Sequence, residues 1–387
     1  MTPLQKAEQA VLGAVLLDPG QLARLDWLAP EHFDRPAHQA LYAALRKLRS
    51  SGHDALVAEG AVPLSWVTDA VDEAGHHVRG MTAVYAHTLI SACPRPEHAP
   101  VYGRMVLEGA IHLTVAQHAV RLHQAARADA LQGQVDGALR RADVLASVLH
   151  DLARRWGTEP RPVPAAEPPA RDRGGPVRAS VVEDEQFLLA VLADRPKAMD
   201  AVVGWLRPGD FADPVHGQLY RSLGALHHRG EPVDRLTLLW EAQRRGLLAD
   251  GTLTTDAVAA LCDEVGAGDA AWLGEQVLRS SITRTAAASA DEVRALAETA
   301  ALSPGQLINH ALHALGPLDE VRARWQTATG RSPAPPPRRV PASTGPPAER
   351  MHAALARSAP APVPPSGGRT GPASAPAGAR PRARGHH

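Results

Sequence analysis

Apolar side chains return every three or four residues near the start of the chain, at Val11, Leu12, Val15 and Leu16. A stripe of the same kind returns at Leu188, Leu189, Val191 and Leu192. That period marks an amphipathic helix, one face for a core and one for water. Both stripes open on Glu-Gln, at Glu8-Gln9 and Glu185-Gln186. Each leads into nearly the same phrase, LAPEHFDRPAHQALYAALRKL from Leu28 and LRPGDFADPVHGQLYRSLGAL from Leu206. Trp27 and Trp205 precede the phrases at matching places. Within them Pro30, Phe33, Pro36, His38, Leu41 and Tyr42 line up with Pro208, Phe211, Pro214, His216, Leu219 and Tyr220. Pro214 suits a first helical position with Asp213 as its N-cap. Gly52 and Gly230 suit positions that end these helices. A unit stated twice predicts two copies of one fold.

After those glycines the copies part. GEPVDRLTLLWEAQRRGLL predicts another amphipathic helix begun near Asp234, whereas GHDALVAEGAVPLSWVTDAVDEAG shows no clean period. They meet again at APVYGRMVLEGAIHLTVAQHAV from Ala99 and AAWLGEQVLRSSITRTAAASAD from Ala270. Val106, Leu113 and Val120 fall seven apart, which predicts a long helix with a narrow packing seam. Each copy closes on a helix carrying a tryptophan, Trp156 and Trp325. The expected fold is all-α, with two tandem small helical heads, each followed by a helical hairpin. The first copy takes residues 1–157 and the second 181–327. Residues 158–180 form a linker rich in Pro, Gly and charge, which as a flexible coil spans on the order of 25 Å. Residues 328–387 are Pro, Ala, Gly, Ser and Arg, and cannot bury enough apolar surface to fold alone, so a disordered tail is expected.

Composition sharpens this picture in two places. Aromatics are only 4% of the chain, so alanine and leucine must carry the core, which favours helices. The formal net charge is zero, but it is unevenly spread. The tail holds nine arginines against one acid, Glu349, a balance of +8 that leaves −8 on the body. Three readings of the tail stay open: a solvated spacer, a non-specific contact to nucleic-acid phosphates, or a Pro-Arg ligand such as PAPPPRRVP for a partner groove. Arg338, Arg339, Arg380, Arg382 and Arg384 are its candidate contacts. The tail has no aromatic residue, so base stacking is not expected of it. The N-terminus lacks the pattern of a signal peptide, and no run of about 18 apolar residues predicts a membrane span. Two distant cysteines, Cys93 and Cys262, fit a reduced, cytoplasmic setting.

Taken in order, Glu-Gln, Leu-x-Pro-x-x-Phe, Pro-x-His-x-x-Leu-Tyr and Gly-x-Pro-Val-Asp ending at Asp234 resemble the N-terminal domain of DnaB-type replicative DNA helicases. The resemblance implies a small helical head followed by a hairpin. In that family hairpins pair subunits, six copies form a collar above the motor ring, and the collar docks primase without performing chemistry. The second copy is the closer one, since the first keeps only Gly52 and Asp54 of the last motif. The expected partners are therefore a replicative helicase, a primase, or both. The two modules are expected to pair within one chain as a pseudo-dimer, or between chains as a homo-oligomer.

The motor of such helicases requires a P-loop, Gly-x-x-x-x-Gly-Lys-Ser/Thr. The chain has three lysines, Lys6, Lys47 and Lys197, and none follows a glycine. No catalytic, cofactor or metal residue is predicted, and the expected role is a non-enzymatic interaction in DNA replication or primosome assembly. A DNA-binding accessory factor acting through the tail, and a helical scaffold without replication partners, are the alternatives. His38 and His216 are read as core histidines, because a position repeated in both copies favours architecture. His112, His118 and His123 miss the i, i+4 spacing of paired ligands on a helix, and His227-His228 are placed in a loop. Glu8 and Glu185 are read as first-turn carboxylates favoured by the helix dipole. Trp27, Trp205, Trp156 and Trp325 are read as packing residues.

Overall fold

The computed structural model describes residues 2–57, 61–157, 179–249, 251 and 253–330. Among them there is no strand. The first head contains α1 (Pro3–Leu17), α2 (Gln21–Arg24), α3 (Pro36–Ser50), α4 (Leu64–Gly75) and α5 (Ala83–Ala92), and the first hairpin α6 (Ala99–Gln132) and α7 (Asp136–Trp156). The second head contains α8 (Ala179–Asp194), α9 (Pro214–Arg229), α10 (Arg235–Arg244) and α11 (Thr255–Asp263), and the second hairpin α12 (Ala270–Glu298) and α13 (Pro304–Ala328). The expected linker and tail, including Arg338, Arg339, Arg380, Arg382 and Arg384, lie almost wholly outside the described residues.

Local chemistry explains most helix starts. Thr2 and Gln5 form a reciprocal box at the head of α1, and Thr82 and Thr254 cap α5 and α11 through the amides of Tyr85 and Ala257. Asp213 caps α9 through the Val215 amide at 2.8 Å, with Pro214 in the first position. Asp234 caps α10 through the amides of Leu236 and Thr237. Each such acceptor satisfies a donor that the first turn of a helix leaves open. Gly52 and Gly230 follow α3 and α9 at φ 73° and 66°, the left-handed conformation that glycine adopts without strain.

Two expectations change, and one stretch left without an element gains one. The first copy does have a helix after α3. It is α4, which begins at Leu64 after a short turn at Asp54–Leu56, so the weak period marks a late start rather than a missing helix. His227 and His228 lie in the last turn of α9 and not in a loop, and His227 Nε2 stands 2.8 Å from Asp200. The seven-residue seam of α6 is not its packing line. Val106 is buried but Val120 is 37% exposed, and the buried stripe runs through Ile111, Val115, Ala119, Leu122 and Ala126. The period of seven persists in that stripe, as Val115 to Leu122 and Ala119 to Ala126 show, but its register is not the one read from Val106, Leu113 and Val120.

Two buried clusters organise the described residues, and they do not divide at the linker. The first head closes its own core around Leu12, Phe33, Tyr42, Trp66 and Leu89, which extends to Val106 at the start of α6. From Ile111 onward the first hairpin joins a single core with the second head and second hairpin. The long helices α6 and α12 pack against each other, α13 packs on α7, and small residues such as Ala119, Ala286 and Ala290 are buried in this shared core. Polar contacts fix the pairing. His112 places Nδ1 2.8 Å from the Ala297 carbonyl and Nε2 3.1 Å from that of Leu302. Arg322 donates to Asp143 at 2.7 Å and to the Leu139 carbonyl at 3.0 Å.

Candidate functional site

Glu8 and Glu185 sit well inside α1 and α8, beyond the first turn, and both are fully buried. The helix dipole therefore does not account for them. Glu8 accepts the Asp34 amide, and its other oxygen stands 2.6 Å from His38 Nδ1. Glu185 accepts the amides of Ala212 and Asp213, and stands 2.9 Å from His216 Nδ1. In each head a buried carboxylate thus binds the turn before the proline-started helix and the histidine within that helix's first turn. A buried charge is tolerated only with such partners. The copies differ at the other imidazole nitrogen. His38 Nε2 lies 2.7 Å from the Tyr85 hydroxyl, whereas Ala257 occupies the matching place in α11.

The remaining signature residues build the same corner twice. Pro30 and Pro208 open short 3₁₀ turns, and Pro36 opens α3 as Pro214 opens α9. The Phe33 and Tyr42 rings lie 4.9 Å apart, and Phe211 and Tyr220 lie 5.1 Å apart. Both tyrosine hydroxyls donate to a carbonyl at 3.2 Å, Leu25 and Leu206 respectively. Burial pushes the Tyr42 phenol up to about 12, and moves that of Tyr220 in the same direction. Leu41 and Leu219 are buried, Gln9 is half-buried and Gln186 is exposed. Trp27 remains 46% exposed while Trp205 is 9% exposed. Their indole N–H groups donate to the carbonyls of Arg24 and Ala201. A Cβ at Gly103 would meet the Trp27 ring at 3.2 Å, and one at Gly274 would meet the Trp205 ring at 2.7 Å. Those two glycines, at matching places in α6 and α12, are the partners that sequence reading missed.

Two further features distinguish the second head. Asp210 is buried and accepts from the Arg207 amide, the Ser281 hydroxyl and the Arg324 guanidinium, tying this head to α12 and α13. His32 holds the equivalent place in the first head and accepts only the local Ala29 amide among the described contacts. Glu241 is buried beside Arg229 and Arg245. Burial alone would raise its carboxyl, but the two guanidiniums hold it below the ordinary range. Burial pushes the thiols of Cys93 and Cys262 up, which lowers their thiolate population and reactivity. Among the described residues no group of three His, Cys, Asp or Glu side chains is placed to hold a metal ion. Among them, too, no helix is long and apolar enough to cross a membrane.

A broad groove of about 1060 Å³ opens on the first head between α1, α5 and the start of α6. Two stretches, residues 2–108 and 177–266, match the DnaB-like helicase N terminal domain, and together they cover about half of the chain. The chain belongs to the DnaB-like helicase N-terminal domain family. Each matched stretch is a head, the first reaching into α6 and the second stopping short of α12, so most of both hairpins lies beyond them. The replicative DNA helicase DnaB of Mycobacterium leprae is 36% identical over 83 residues, 21% of this chain and 14% of the helicase. That of Geobacillus stearothermophilus is 35% identical over 109 residues, 27% of this chain and 22% of the helicase. The chain thus spans a minor part of the helicases it matches. In this DnaB-like chain the shared signature residues mostly build the corner of each head, with Trp27, Pro36, Gln186, Pro214 and Asp234 reaching the surface.

Proposed function

We propose that this chain is a non-catalytic interaction module of DNA replication that contacts a replicative helicase or its primase. The reading rests on one observation: two DnaB-like heads are carried on hairpins whose long helices, α6 and α12, pack in a single core. Pairing through hairpins is what the resemblance implies for helicase subunits, and here it occurs within one chain. Such a covalent pair would offer a collar-like surface without bringing a motor, since none of its three lysines stands in a P-loop.

Light scattering on a sizing column tests this with the full chain, mixed in turn with the replicative helicase and the primase of the same organism. A shared heavier peak with either partner is expected. A folded protein that shifts with neither would overturn the proposal. The +8 tail favours a second reading, contact with DNA phosphates. That reading predicts binding to duplex DNA that falls steeply with salt and is lost when residues 331–387 are removed.

A further inference from the structure

The two heads repeat one backbone plan, yet the face that carries the groove has opposite chemistry in the two copies. In the first head the floor is apolar, with Ala7, Ala10, Tyr102 and Met105, and the rim carries Lys6 and Arg35. Among the described residues no acidic side chain lines the groove. Aligning Glu8-Gln9 with Glu185-Gln186 puts Glu183 where Lys6 stands, Asp184 where Ala7 stands and Phe187 where Ala10 stands. Asp213 replaces Arg35 before the helix-starting proline. Counting from the caps Thr82 and Thr254, Asp263 and Glu264 replace Ser91 and Ala92.

The consequence is a pair of complementary surfaces on one chain. One is basic and hollow. The other is acidic and bears a phenylalanine that stays 49% exposed, on the same face of α8 as Glu183 one turn earlier. Val265, next to Glu264, is also exposed, at 82%. Burial, and then the neighbouring Glu183 and Glu185, lift the Asp184 carboxyl above its ordinary range. Both faces are open in this structure, so they are not satisfied by each other within the molecule. We propose that the occupant of the first-head groove is a second copy of this chain, whose α8 face inserts Phe187 while Glu183 and Glu264 meet Lys6 and Arg35. Such a contact joins two different faces, so it propagates from molecule to molecule and closes into a ring only if the rotation allows.

Sedimentation of the full chain across a range of concentrations, at low and at high salt, tests the proposal without any helicase or primase. Mass is expected to rise with concentration, and less so in high salt, because exposed charges are screened there. The variant K6E/R35E and the variant E183K/D263K/E264K should each associate at least about ten-fold more weakly, since like charges would then face one another. Mixing the two folded variants should restore association, because each supplies the charge that the other reversed. F187S should weaken association without changing its salt dependence. A single-chain mass at every concentration would overturn the proposal. So would association that the charge reversals leave unchanged, or a mixture of the two variants that stays apart while both give the circular dichroism of the parent.

Discussion

Glu8 is the buried polar tie of the first head's corner. It is buried, it accepts the Asp34 amide, and it holds His38, which reaches Tyr85. Replacing it with alanine strands a buried imidazole and a backbone donor together. Glu8→Ala is expected to cost about 3 kcal/mol or more, and Glu8→Gln, which keeps an acceptor, about half of that. Urea denaturation followed by circular dichroism reads both. Equal losses would show that the carboxylate's hydrogen bonds are not what matters. A sequence motif marks these residues as repeated but not as joined, because the separation of 30 positions between Glu8 and His38 hides the contact.

The tightest helix contact of the first head is a close approach to backbone. A Cβ on Gly13 of α1 would stand 2.2 Å from the Leu89 carbonyl oxygen and 2.9 Å from the Cys93 Cβ. The obstacle is backbone of α5, which cannot swing aside as a side chain does. Gly13→Ala should therefore lower stability by about 1–3 kcal/mol through overpacking, despite alanine's higher helix propensity. At Gly224 in α9 a Cβ would meet nothing within 4 Å, so Gly224→Ala should instead stabilise by up to about 1 kcal/mol. Thermal melts of the two variants should move in opposite directions, and a rise for Gly13→Ala would refute the tight α1–α5 contact. The period of apolar residues placed α1 and α8 correctly. It misplaced the α6 seam, since a helix that leaves one core and enters another has no single buried stripe, and it blurred the start of α4.

The chain is held as a pair by side chains far apart in sequence. His112 contacts carbonyls in the second hairpin, and Arg322 contacts α7, beside a core shared by α6, α7, α12 and α13. Covalent linkage raises effective concentration but supplies no contact of its own. Cutting the chain at a protease site inserted between residues 157 and 179 should then leave the two pieces bound. They are expected to co-elute on a sizing column at micromolar concentration. Two separate peaks would mean that the linker, not the hairpin core, holds the pair.

The helices, their caps and the duplication were readable from residue order, because hydrophobic period, capping and turn chemistry act over a few positions. Those signals made the resemblance to the helicase head visible, and with it the likeness of the two copies. Partnership was not readable in that way. That Glu8 serves His38 and the Asp34 amide, that Trp27 and Trp205 lie against Gly103 and Gly274, and that the first hairpin shares its core with the second copy all depend on packing between distant segments. The opposed faces of the two heads show both limits at once. Lys6 and Glu183 could be aligned from the sequence, but folding alone gathers one set around a hollow and leaves Phe187 standing out from the other.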